Sequence, residues 1–152
     1  MTQRLYDPKT QRLNDSRTQR LDDSTTQRRF LMQKKELGKK GEQLALRFLK
    51  KSGYRIIQTN YVCKLGEMDI IAQEKDTLAF IEVKTRTSTT FGPPQLAVNP
   101  AKQRQLSKVA LNFLKEKKLE DLNARFDVVA ILLGPRGEEI ELIKDAFELR
   151  WG

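Results

Sequence analysis

The stretch Asp69–Arg86, "DIIAQEKDTLAFIEVKTR", sets two apolar runs on either side of a polar turn. The runs "DIIA" and "LAFIEV" are short and rich in β-branched and aromatic residues, which reads as adjacent strands of a buried sheet joined through "QEKD". The second run carries Glu82 and Lys84 inside it, where an isolated charge is costly. Whatever this chain folds into must supply partners for both.

Strand side chains alternate, so Phe80, Glu82 and Lys84 face one side and Ala79, Ile81 and Val83 the other. Glu82 and Lys84 are then neighbours roughly 6 to 7 Å apart along the strand. Asp69 heads the preceding strand and sits beside them if the connection is an ordinary hairpin. Two carboxylates and an ammonium at one sheet edge are the residue set of a magnesium site for phosphate chemistry, because Mg²⁺ takes one or two carboxylates, water and substrate phosphate. The bland alternative is a solvated same-face ion pair, worth only about 0 to 1 kcal/mol. The flanking hydrophobic residues and Asp69 weigh against it.

Composition narrows the chemistry. The chain has 152 residues, 38% hydrophobic and 32% charged, enough for one domain with a core. Zero histidines and a single cysteine, Cys63, remove the commonest general base, a multi-thiolate metal site and an internal disulfide. Catalysis would rest on carboxylates, lysine and a hard metal, magnesium or manganese. The net charge of +9 calls for an anionic partner, nucleic acid before a membrane surface. No run has the length of a membrane span and the N-terminus lacks the apolar core of a signal peptide, so no membrane partner and a cytoplasmic location are expected.

Residues 1–33 stand apart. "TQRLYDPK", "TQRLNDSR" and "TQRLDDST" repeat with period eight, followed by a truncated "TQRR". Each full unit offers one clear apolar anchor, Leu5, Leu13 or Leu21, too little burial to offset an ordering cost of roughly 1 to 2 kcal/mol per residue. A disordered low-complexity extension is expected there, with Met32 a position where a shorter chain could begin. A basic arm, from seven Lys and Arg against four Asp, is the functional alternative.

Residues 34–152 form the expected domain. From Glu36, Leu37, Gly41, Leu44, Ala45, Phe48 and Leu49 make one helical stripe that Gly53 ends, with Glu42 bordering it. A strand Tyr54–Asn60 follows, then the strand pair, then the loop "TSTTFGPPQLAVNP", where mobility should concentrate. Asn99 and Pro100 read as N-cap and first residue of a helix with the stripe Leu106, Val109, Ala110, Phe113 and Leu114. Strands Arg125–Leu133 and Glu139–Phe147 close the chain around "GPRG". The order α, β, β, β, α, β, β fits a mixed α/β sheet flanked by helices.

These residues carry a resemblance. "GEMDIIA" (Gly66–Ala72) and "LAFIEVKTR" (Leu78–Arg86) resemble the PD-(D/E)xK nuclease superfamily. With "LGKKGEQLALRFLKKSGYRIIQTN", "FGPPQLAVNPAKQRQL" and "RFDVVAI", the chain resembles the YraN family of bacterial proteins, related to archaeal Holliday-junction resolvases. The similarity covers roughly Leu37 to Phe147, with Met68 standing where the superfamily name has Pro. It implies a restriction-endonuclease-like αβββαβ core and metal-dependent hydrolysis of DNA phosphodiesters. It also implies Asp69 and Glu82 as metal ligands, Lys84 assisting the water, and Glu42 completing the catalytic set. Glu67 lies nearby but fits the alternation less well as a ligand.

Lys102, Gln103, Arg104 and Lys108 on the second helix are candidates to meet nucleic-acid phosphates, against the usual solvated face. Gln103 reads more simply as solvent-facing, Asp127 as a structural carboxylate, and Tyr61 and Phe91 as loop anchors before base-stacking groups. The expected function is a magnesium-dependent endonuclease on DNA, branched DNA first, with a two-fold homodimer suiting a symmetric junction. The alternatives are a catalytically silent nucleic-acid-binding protein of the same fold, whose binding would fall with salt and need no divalent ion, and a partner-binding scaffold.

Overall fold

A computed structural model describes residues 8–88 and 98–150, with side chains from residue 24 onward. Phe91, most of the loop that contains it and the first seven residues, Leu5 among them, lie outside the described residues. The elements are α1 (Pro8–Lys51), β1 (Arg55–Cys63), β2 (Gly66–Glu74), β3 (Thr77–Arg86), α2 (Pro100–Lys117), β4 (Asn123–Gly134) and β5 (Gly137–Phe147). The chain divides into one unit ending at Leu37 and another beginning at Gly38.

Within the second unit the five strands pair in sequence order. All pairs are antiparallel except the parallel β3–β4 pair, which α2 connects. This is a mixed α/β fold compatible with the expected αβββαβ core, with β5 added at an edge. The two sheet faces bury separate cores. Leu44, Ala45 and Leu49 of α1 pack with Ile70, Ala72, Ala79, Ile81, Val129 and Ile131. Leu106, Val109, Ala110 and Phe113 of α2 pack with Met68, Ile71, Phe80, Phe126 and Val128 on the opposite face.

Local signals explain the boundaries. Gly53, at φ 88°, follows α1, with Tyr54 N–H bonded to Leu49 O and Gly53 N–H to Lys50 O, a left-handed C-terminal cap that favours glycine. Asn99 Oδ1 accepts from Lys102 N at 2.9 Å and caps α2 ahead of Pro100. Tyr61, expected as a loop anchor before a base-stacking group, is buried in β1. Its hydroxyl donates to Glu116 Oε2 at 2.8 Å and accepts from Asn112 Nδ2 at 2.7 Å, tying β1 to α2.

In the first unit the backbone is helical from Pro8 onward, within the residues expected as a repeat extension. The repeat has no glycine, its one proline falls at the first helical residue where no N–H is needed, and Gln, Arg and Leu are good helix formers. Ser24 to Glu36 are exposed, so local propensity rather than burial accounts for this helical backbone.

Candidate active site at the splayed end of two strands

The β2–β3 ladder ends at the pair Ile70–Ile81. One residue further, Asp69 would face Glu82, but there the strands part. Met68 and Ile71 belong to one core while Ile70 and Ala72 belong to the other, so side-chain alternation breaks at Asp69–Ile70. Asp69 Oδ2 then accepts the N–H of Val83 at 2.8 Å, giving that strand donor a side-chain partner in place of a ladder carbonyl.

Glu82 is 4% exposed. Its Oε1 lies 2.8 Å from Lys84 Nζ and 3.6 Å from Lys102 Nζ, so one carboxylate oxygen faces two ammonium groups from β3 and α2. Its Oε2 is buried and has no hydrogen-bond partner among the described residues. Such an atom is expensive to leave bare, and a cation is a natural complement to it.

Burial raises the pKa of Asp69 to about 6, and the neighbouring charge of Glu82 pushes the same way. The Val83 N–H and Lys102 oppose the shift, while Glu42 adds to it. Glu42 reaches this neighbourhood because α1 packs closely on β3. A Cβ on Gly41 would stand 1.7 Å from Thr85 Oγ1 and 2.9 Å from Thr85 Cβ, so only glycine permits the approach. Among the described residues no three His, Cys, Asp or Glu side chains gather tightly enough to hold a metal by themselves. Asp69 and Glu82 are close enough for each charge to act on the other, and Glu42 acts on Asp69 more weakly.

Residues 41–131, the span that contains all of these groups up to β4, match the uncharacterised protein family UPF0102. The chain belongs to the UPF0102 family. This is the YraN family that the sequence motifs from Leu37 to Phe147 together resemble. A UPF0102 protein of Syntrophus aciditrophicus is 54% identical over 122 residues, covering 80% of this chain and 96% of its own. One from Geotalea daltonii is 55% identical over 118 residues, covering 77% and 93%. One from Caldicellulosiruptor saccharolyticus is 49% identical, covering 76% and 100%. The UPF0102 match begins at Gly41, the glycine that seats α1, and the extension of residues 1–33 lies outside it.

The structure therefore gathers Asp69, Glu82, Lys84 and Glu42, and adds Lys102, whose ammonium turns toward Glu82 although the sequence placed it with the basic helix surface. Arg104 is half-buried and Lys108 exposed on α2. Gln103 is not solvent-facing: its Nε2 donates to Val98 O at 2.9 Å and its Oε1 is buried with no partner among the described residues. Glu67 is exposed. Gly41 was the missed residue, and its signal was a helix-interior glycine, which costs about 1 kcal/mol relative to Ala unless close packing requires it.

On β4, paired in register with Ile81, Asp127 is 0% exposed and has a structural role. It accepts from Arg125 Nε at 2.9 Å, from Tyr54 Oη at 3.2 Å and from Asp145 N at 2.9 Å. Arg125 also reaches Glu74 Oε2 at 2.7 Å, and Lys144 reaches Glu74 Oε1 at 2.6 Å. No described helix is long and apolar enough to cross a membrane.

Proposed function

We propose that this protein is a metal-dependent endonuclease that hydrolyses DNA phosphodiester bonds at the Asp69–Glu82 pair. The observation that carries the reading is the buried, unpartnered Oε2 of Glu82, beside a second carboxylate and two lysines. The donor set is oxygen throughout, which fits Mg²⁺ or Mn²⁺, ions that take one or two carboxylates and leave positions for water and phosphate. Such an ion would lower the pKa of bound water and stabilise charge on the phosphate.

The chain's own groups have separable tasks. Val83 N–H fixes Asp69 Oδ2, so this carboxylate is oriented in advance. Lys84 holds Glu82 Oε1 and, with its side chain 33% exposed, keeps ammonium donors free for the attacking water or the phosphate. Gln103 steadies the start of α2 through Val98, and Arg104 and Lys108 extend basic charge along it for the nucleic-acid backbone. Branched DNA is the first substrate to try because of the resolvase resemblance, with a two-fold homodimer the matching assembly.

Cleavage of labelled four-way-junction, flap, single-stranded and duplex DNA in Mg²⁺, Mn²⁺ or EDTA, with Glu82→Ala purified in parallel, tests the reading. Metal-dependent products that vanish in the variant are expected. Intact DNA throughout, with salt-sensitive binding, would favour the silent nucleic-acid-binding alternative.

A further inference from the structure

Lys102 and Lys84 address the same oxygen of Glu82 on unequal terms. Lys84 makes a charge-assisted contact at 2.8 Å from two residues along the same strand. Lys102 stands at 3.6 Å, beyond hydrogen-bond length, and is held by charge alone. Its backbone is nevertheless well fixed: its N–H caps onto Asn99 Oδ1, and Gln103 braces the same turn through Asn99 O and Val98 O. A rigid base carries a loosely engaged ammonium on a side chain 28% exposed.

Charge counting gives that ammonium a use. Ionised, Asp69, Glu82 and Glu42 against Lys84 and Lys102 leave one negative charge. A divalent ion turns this into one positive charge, which a single phosphodiester monoanion neutralises and a dianionic phosphate end overshoots. The ion would also compete with Lys102 for Glu82.

We propose that Lys102 is a ligand for the internal phosphodiester of the substrate, parked on Glu82 until a divalent cation displaces it, so that cation and phosphate reinforce each other's binding. The inference rests on the nuclease reading above and deepens it. By linkage, each ligand should tighten the other by the same factor.

The test is binding, not turnover. Mn²⁺ affinity is measured by electron paramagnetic resonance for wild type, Lys102→Ala, Lys102→Gln, Lys102→Arg, Glu82→Ala and the charge control Lys115→Ala, with and without duplex and junction DNA. Circular dichroism is recorded on every variant. Without DNA, both Lys102 variants should bind Mn²⁺ more tightly, by roughly two- to tenfold for one nearby charge removed, while Lys115→Ala does not. With DNA present, the mutual tightening seen in wild type should shrink in both variants and return in Lys102→Arg. Unchanged or weaker Mn²⁺ binding in folded Lys102 variants, with Glu82→Ala losing the ion, would overturn the Lys102 proposal alone. Equal Mn²⁺ binding by wild type and Glu82→Ala would overturn the nuclease reading and this inference with it.

Discussion

Asp69 Oδ2 accepts the backbone N–H of Val83 at 2.8 Å, one residue past the last β2–β3 pair, and so holds the two strands at a fixed opening. The carboxylate thus has a structural task and a chemical one, and two substitutions separate them. Asp69→Asn keeps an acceptor for Val83 and should fold with near wild-type stability while losing metal-dependent cleavage. Asp69→Ala should lose cleavage and also about 1 to 3 kcal/mol of stability, because a half-buried donor is stranded. Equal urea midpoints for the two variants would show that the bond contributes nothing.

Glu82→Gln removes the charge that both lysines face while keeping the shape. Cleavage should fall by about two or more orders of magnitude, on the scale of losing a directly acting charged group at a reaction centre. Thermal unfolding should change by only about 0 to 1 kcal/mol, because Lys84 and Lys102 are partly exposed and water can solvate them once the charge they face is gone. Retained cleavage would remove Glu82 from the site.

Gly41→Ala should be more damaging than its size implies. The added methyl meets the Thr85 side chain well inside contact distance, so α1 must shift or the threonine must turn away. A loss of about 1 to 3 kcal/mol is expected, typical of overpacking. The double variant with Thr85→Ala should recover part of it in chemical unfolding; no recovery would place the strain elsewhere.

The network around Asp127 makes two demands. Arg125→Ala leaves a fully buried carboxylate without its ion partner and should cost about 3 to 5 kcal/mol. Glu74 gives the pH dependence: hydrogen bonds from Lys144 and Arg125 hold its pKa below the ordinary glutamate range. A depressed carboxylate stabilises the fold fully above its ordinary pKa and loses that contribution as pH falls through the lower folded value. Glu74→Gln should therefore be less stable than wild type at pH 7 and show a shallower stability loss between pH 5 and 3 (approximate limits set by ordinary carboxylate titration). Parallel slopes would show that other carboxylates dominate.

For the N-terminal repeat, removal of residues 1–33 should leave the midpoint of the remaining domain within about 0.5 kcal/mol, as for surface changes that remove no buried contact. Ser24 to Glu36 are exposed, so the described part of that segment has little burial to lose. A large drop in midpoint would assign the repeat a stabilising role.

Much of this architecture was legible because its signals are local. Alternation in Leu78–Val83 put Glu82 with Phe80 and away from Ile81, and the two helix stripes named most of the side chains that cover the sheet. Asn99–Pro100 marked the start of α2, and Gly53 follows the end of α1. What escaped was set by tertiary distance. The turn of Lys102 toward Glu82 depends on where α2 lands, eighteen residues after Lys84. The close seat of Gly41 on Thr85 depends on helix–sheet separation, and the broken alternation at Asp69 on a strand pair that parts early.

The contrast between the two-residue β2–β3 turn and the long β3–α2–β4 crossover also sets an order of assembly. Asp69 and Val83 are fourteen residues apart, so their bond can form in a hairpin closed at low entropic cost. The parallel β3–β4 pair must wait for the chain through α2 to be laid down. Asp69 and Glu82 therefore become neighbours while still hydrated, and Lys102 reaches Glu82 only when the crossover docks. In a ribosome-bound chain, the two carboxylates would be open to solvent cations before the lysine from α2 arrives.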